Sequence, residues 1–318
     1  MIVWRVMIRC MFNAQRRLLF FALLPTLAVA AMPYGSTAQG QAQGQAQPQG
    51  RGRGAQAPPA PRKLMLVDRT GAQTLLGEVP GNTNGPRVSP DGTRLAYGSG
   101  GLWVGPLMNL QAIKRIGDGQ FPYWSADGTR LFFSPAAEIL AWRRVDAEDI
   151  GEQLHTPVRA PESRSSDGKL LSFVVSVDNK FSAWTMNLET RERTQIPDSG
   201  PEALGTNISP DGRWIAYQST ATGRYEIYVQ PLGRAGPAVH VTTQESFRPL
   251  WSRDMREMFF DTVVDGVRTL WVVPITTQPT FAAAGEPRAL PIKGFVQGGV
   301  GRRMYDLLPD GRFVMMFP

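Results

Sequence analysis

The chain has 318 residues, of which 42% are hydrophobic and 19% charged, with a formal charge of +7. That basicity does not mark a nucleic-acid binder: residues 1–60 hold six Arg and no acid, leaving 28 basic against 27 acidic residues from residue 61 onward. A single cysteine excludes a disulfide framework, and two histidines leave little material for a zinc site or a serine triad.

In chain order, Arg5, Arg9, Arg16 and Arg17 precede an apolar run from Leu18 to Ala31, followed by small residues at Ala28-Val29-Ala30 and Ser36-Thr37-Ala38. This pattern predicts a secretory signal peptide over residues 1–38, with Met11 as an alternative start and an apolar stretch too short to span a membrane. Cys10 lies before that run and so is not placed as a lipoprotein anchor. Residues 39–62 are rich in Gly, Gln, Ala and Pro and are expected to be a disordered tether that cannot bury a core.

From residue 63 a short phrase recurs. Tight turns read Ser89-Pro90-Asp91-Gly92, Ser125-Ala126-Asp127-Gly128, Ser165-Ser166-Asp167-Gly168, Ser209-Pro210-Asp211-Gly212, Ser252-Arg253-Asp254-Met255 and Leu308-Pro309-Asp310-Gly311. Their starts lie 36, 40, 44, 43 and 56 residues apart, the length of a four-stranded propeller blade. Three residues past the Gly position stand Leu95, Leu131, Leu171, Ile215, Met258 and Val314, and two further on Tyr97, Phe133, Phe173, Tyr217, Phe260 and Met316. A spacing of two puts each pair on one face of a strand. A second phrase centred on Trp103, Trp142, Trp184, Tyr228 and Trp271 predicts another strand, whose aromatic anchors the blade against its neighbour.

Turn chemistry accounts for the phrase: Pro presets φ, Asp accepts local N–H groups and Gly takes a positive φ. Six Asp in six different blades are therefore structural rather than a catalytic array. Met255 breaks the rule, and a remodelled turn is expected there. The stretch Lys63–Leu76 has the second phrase without a turn, whereas Tyr305–Phe317 supplies a turn and a second strand and then stops. The two complete one blade, closing a ring of six and removing an open sheet edge. The fold class is thus all-β, a six-bladed propeller over residues 63–318.

No nucleophile elbow, phosphate-binding loop or paired-cysteine motif is present. His155 and His240 fall in outermost strands of different blades, and Asp146, Glu148 and Asp149 read as a solvated loop, with calcium as the alternative. No cofactor or metal is expected. The innermost strands nominate Arg87, Tyr123, Glu162, Asn207, Arg248 and Asp306 as residues lining the channel mouth, a mixture suited to a polar protein or peptide partner.

The phrase Ile208-Ser209-Pro210-Asp211-Gly212-Arg213-Trp214-Ile215-Ala216-Tyr217 resembles the repeat of TolB-like six-bladed, WD-like propellers over residues 63–318. Tyr217–Pro318 is further similar to the extracytoplasmic propellers of bacterial Ser/Thr kinases, through Gly223–Val229, Pro249-Leu250-Trp251-Ser252 and Val273-Pro274-Ile275. The resemblance implies a bacterial periplasmic or secreted propeller that binds protein or peptidoglycan-associated envelope partners, as one member docks a peptidoglycan-associated lipoprotein over its channel. The α/β domain that precedes the TolB propeller and the kinase domain have no counterpart in the sequence, so a Tol-system role and phosphotransfer are not expected. The expectation is a monomeric, non-enzymatic interaction scaffold without nucleic acid or membrane span. A ligand sensor working in trans, or a hydrolase or lyase with an axial site, is the alternative.

Overall fold

A computed structural model describes residues 59–318 except 149, 150, 156, 235 and 300. The expected leader, nearly all of the expected tether and Asp149 lie outside the described residues. The strands begin with β1 (Arg62–Val67) and β2 (Gln73–Val79). The first full blade is β3 (Asn84–Val88), β4 (Arg94–Gly98), β5 (Leu102–Pro106) and β6 (Lys114–Gly117). The second is β7 (Gln120–Trp124), β8 (Arg130–Ser134), β9 (Leu140–Arg144) and β10 (Glu152–His155). The third is β11 (Ala160–Arg164), β12 (Leu170–Val177), β13 (Lys180–Asn187) and β14 (Arg193–Gln195). The fourth is β15 (Ala203–Ile208), β16 (Trp214–Ser219), β17 (Glu226–Pro231) and β18 (Val239–His240). The fifth is β19 (Phe247–Trp251), β20 (Glu257–Val264), β21 (Val267–Thr276) and β23 (Arg288–Lys293), with the short β22 (Ala282–Ala283) pairing the far end of β21. β24 (Tyr305–Leu307) and β25 (Phe313–Phe317) close the chain.

All six blades are antiparallel, and the sixth has the order β2-β1-β25-β24. β1 lies on β25 in the register Leu64↔Met316, Leu66↔Val314 and Val67↔Phe313. The two ends of the domain therefore share one sheet, as the complementary deficits of the end fragments required. Among the described residues no helix is long and apolar enough to cross a membrane.

The turns explain why the phrase begins with Ser as well as why it contains Asp and Gly. In five copies the Ser hydroxyl donates to the Asp carboxylate at 2.5–2.6 Å and accepts the N–H five residues further on, at 2.9–3.0 Å. In all six the carboxylate also accepts the N–H two residues beyond it. One hydroxyl thus cross-links both ends of the turn.

Met255 does not remodel its turn. It adopts φ 57, and its N–H reaches the Ser252 carbonyl at 3.1 Å as the Gly of the other copies does. The Ser252 and Asp254 bonds hold the backbone there, and the Met255 side chain packs against the apolar cluster between the fourth and fifth blades. The sixth copy departs where uniformity was expected. Leu308 has no hydroxyl, its N–H closes on Arg312 instead of one residue later, and Leu307 consequently pairs with Phe313. Because strand side chains alternate, that single residue exchanges faces. Phe313 and Met315 face the fifth blade, while Val314 and Met316 face the first.

The third-strand aromatics are less buried than expected of core anchors. Trp103, Trp184 and Trp271 are half-buried, and Tyr97–Trp103, Tyr217–Tyr228 and Phe260–Trp271 stack across strands at 6.3, 6.0 and 6.3 Å. The fully buried partners are the second-strand residues Phe173, Tyr217 and Phe260. Trp142 sits one position out of step, opposite Phe132 and beneath the Arg130 guanidinium.

Every turn carboxylate is held below its ordinary value. The Ser hydroxyl is the largest cause at Asp91 and Asp127, which fall to about 2, and at Asp167 and Asp254. At Asp211 burial pushes upward but the bonds from Ser209 and Arg213 outweigh it, and at Asp310 the Arg312 guanidinium leads. A depressed folded pKa means that the unfolded chain binds more protons. The contribution to stability is therefore complete above the ordinary value of 3.8 and is lost as pH falls toward about 2. Urea midpoints measured across that window should fall with pH, and Asp127→Asn should flatten the slope. An unchanged slope would remove the turn carboxylates from the account. Met255→Gly should raise stability by up to about 1 kcal/mol by relieving a left-handed non-glycine residue, read as an upward shift in thermal midpoint.

Candidate functional site at the axial channel

Five of the six innermost strands break register just before their turn, between Asn84/Arg87, Gln120/Tyr123, Pro161/Ser163, Leu204/Asn207 and Phe247/Leu250. The break is a bulge. Four residues before the turn's first residue, Gly85, Phe121, Gly205 and Arg248 take φ of 54, 57, 65 and 56. Gly adopts this freely, whereas Phe121 and Arg248 do so under strain.

The residues that follow the bulge fasten each blade to the next. Val88 N–H donates to Asp306 at 2.9 Å, Trp124 Nε1 to the Arg87 carbonyl at 2.9 Å and Arg164 Nε to the Trp124 carbonyl at 2.9 Å. Ile208 N–H donates to Ser163 Oγ at 2.7 Å, Trp251 N–H to Asn207 Oδ1 at 3.1 Å and the Tyr305 hydroxyl to the Arg248 carbonyl at 3.2 Å. Every one of the six interfaces is bridged at the hub.

This ring sets what the nominated side chains do. Arg87, Tyr123, Asn207 and Asp306 line a cavity of about 200 Å³ at the turn end of the innermost strands, together with Arg164 and Arg253. Arg87, Glu162 and Arg248 line a narrower one of about 30 Å³ nearer the strand starts. The structure thus divides the six between two cavities, with Arg87 in both. Asn207 Oδ1 and Asp306 Oδ2 are spent on neighbouring blades. Glu162 accepts the Gly205 and Thr206 N–H groups at 2.8 and 2.7 Å and the Thr206 hydroxyl at 2.7 Å. Burial pushes its carboxyl up, and those bonds only partly hold it back. Arg248 is buried against Asp261, which also receives Arg268. The Tyr305 hydroxyl beside them is pushed well up, by burial first and Asp261 second.

Sequence reasoning missed Arg302 and Arg303, which line the narrow cavity from the segment leading into β24. The signal was the pair itself, three residues before the last innermost strand. It also missed Asp261 and Arg268, whose second- and third-strand positions gave no sign that they reach toward the hub. The histidines stay at the rim: His155 lies on β10 beside Arg193, and His240 on β18 stacks on Tyr228 and meets Glu226 at 2.8 Å. Asp146 is tied to Arg144. Among the described residues no three His, Cys, Asp or Glu side chains gather as a metal site would require.

No family model matches the chain. An uncharacterised protein of Agrobacterium fabrum is 31% identical over 64 residues, which is 20% of this chain and 22% of that protein, so the match spans about a fifth of the relative. Among solved structures, a putative TolB from Agrobacterium tumefaciens superposes with TM-score 0.67 at 20% identity, covering 81% of this chain and 99% of that one. TolB from Acinetobacter baumannii gives 0.53 at 18% identity, covering 73% of this chain and 58% of that protein, less than two thirds of its length. An oligogalacturonate lyase in complex with manganese gives 0.50 at 15% identity, covering 72% of each chain. These likenesses establish a TolB-like propeller fold. A specific likeness to kinase-linked propellers is not shown.

Removing a hub acceptor should be costly. Asn207→Ala leaves the buried Trp251 N–H without its acceptor and should destabilise by roughly 1–3 kcal/mol. Asp306→Asn, which retains an acceptor for Val88, should cost less than Asp306→Ala. Urea denaturation of the three variants checks the order.

Proposed function

We propose that the protein is a periplasmic or secreted, non-enzymatic propeller that docks a protein or peptidoglycan-linked partner over the turn-end mouth of its channel. The observation that carries this is the open cavity of about 200 Å³, whose lining mixes Arg87, Tyr123, Arg164, Asn207, Arg253 and Asp306 with apolar side chains such as Ile208 and Leu250. It offers cations, an aromatic ring and hydrogen-bonding groups on a rigid frame, the composition of a recognition surface. The hub carboxylates Glu162, Asp261 and Asp306 are committed to holding blades and guanidinium groups, which leaves them poorly suited to acid–base work. The TolB-like fold agrees with this reading, as does the leader pattern at the N-terminus.

The lyase likeness gives the enzymatic alternative a specific form. Incubation with oligogalacturonate, with and without manganese, should release no product, and turnover would replace the scaffold reading. For docking, a photo-crosslinking side chain at Tyr123 should capture a defined envelope partner in living cells, while one at Leu75, exposed on outermost β2, should not. Equal capture at both positions, or capture only at the rim, would move the docking surface elsewhere.

A further inference from the structure

The narrow cavity at the strand-start end of the hub is lined by four arginines, Arg87, Arg248, Arg302 and Arg303, and by one carboxylate, Glu162. Two of the four are answered: Arg248 by Asp261, which is shared with Arg268, and Arg303 by Asp306 at 3.5 Å. Counting those partners, five guanidinium groups face three carboxylates, an excess of two positive charges around one small space. Uncompensated charge in a low-dielectric interior is costly and calls for a counter-charge.

Arg87 and Arg302 carry the excess. Arg87 is buried, and among the described residues it donates through Nη1 only to the Pro86 and Arg303 carbonyls and has no acceptor at Nε. Half-buried Arg302 places its guanidinium carbon over the Phe121 ring, 3.4 Å from the centroid, and among the described residues its side chain donates to no protein acceptor. A stacked guanidinium keeps its N–H groups free in the ring plane, the geometry that receives a carboxylate. The ring is held beneath it by a strained backbone, Phe121 at φ 57. Both arginines are pulled down to about 10, chiefly by burial and then by a neighbouring arginine, Arg303 for Arg87 and Arg159 for Arg302.

The space has a matching shape. The cavity is small, about 30 Å³, and has room for a headgroup rather than for a whole ligand. Phe121 and Arg302 also border a groove of about 600 Å³ lined by Pro135, Ala136, Ala137 and Arg159, with the carboxylates Asp118 and Glu138 on its wall, which gives room for the body attached to such a headgroup.

We propose that this end of the channel is a binding site for a carboxylate-bearing ligand, its carboxylate held between Arg302 and Arg87 and its body lying in the groove beside Phe121. The site shares Arg87 with the turn-end cavity but lies on the strand-start side of it, and it does not rest on docking there. The carboxylate is supplied either by a free small acid or by the C-terminus of a peptide.

The test uses the purified chain with benzoate against benzamide, and a short peptide with a free C-terminus against its amide, all at matched ionic strength in chloride. Benzoate or the free-acid peptide should raise the thermal midpoint and bind by calorimetry while the neutral forms do not. Preference for one of the two acids identifies the source. Arg302→Gln should weaken binding roughly ten- to hundredfold, with Arg302→Lys in between. Arg159→Gln, which leaves the hub untouched, should weaken it less. A bromide-soaked crystal should show an anomalous peak between Arg87 and Arg302. The proposal fails if acid and amide act alike on the wild-type protein, if Arg302→Gln binds as wild type, or if no bromide occupies the cavity.

Discussion

The pairing of β1 with β25 is the constraint on which the rest of the molecule depends. Bringing Lys63 to Phe317 closes a loop of some 250 residues, at an entropic cost on the order of 5 kcal/mol. Leu64, Leu66, Val67, Phe313, Val314, Met315 and Met316 are all buried by that sheet. At roughly 1.5–3 kcal/mol for each fully buried side chain, burial exceeds the cost of closure. Without the shared sheet β25 would keep an open edge, and the first and fifth blades would each lose the neighbour on which their apolar faces rest.

Closure also determines which polar groups remain for recognition. A ring needs its hub fastened, and here the bulged innermost strands turn side chains and backbone toward the next blade at every interface. Asn207, Ser163, Asp306 and Glu162 are occupied in this way. Polar residues at a propeller axis are therefore not free simply because they are central. Among the described residues, what remains is the Arg302 guanidinium over Phe121 and the Arg87 guanidinium, which is bonded to carbonyls without a carboxylate partner. The excess charge of the strand-start end and the mixed polar character of the turn end give one channel two chemically different mouths.

The repeat was legible because its physics is local. A turn built from Ser, Asp and a residue at positive φ is completed within six residues, so five copies spell it in the same words. The sixth shows how much the hydroxyl does: where Leu308 replaces Ser, the turn closes one residue early and the faces of β25 exchange. Met255 shows the reverse, a residue unsuited to its φ held by the Ser252 and Asp254 bonds around it. Local preference yielded there to the hydrogen bonds and packing of the copy.

By itself the sequence determined the number of blades, the strand faces of the first five copies and the stitching of the sixth from both ends, because strand alternation and turn chemistry act over a few residues and repeat. It also placed Arg87, Tyr123, Glu162, Asn207, Arg248 and Asp306 on innermost strands. Only the tertiary structure decided what those side chains meet. Asn207 and Trp251 are 44 residues apart, Arg87 and Arg303 are 216 apart, and their contacts exist only once neighbouring blades are packed. The bulges that aim these groups arise from interblade geometry as well as from residue type, since Phe121 and Arg248 occupy a conformation that Gly would suit better. Charge at the hub, being a sum over strands distant in sequence, is a property of the closed ring.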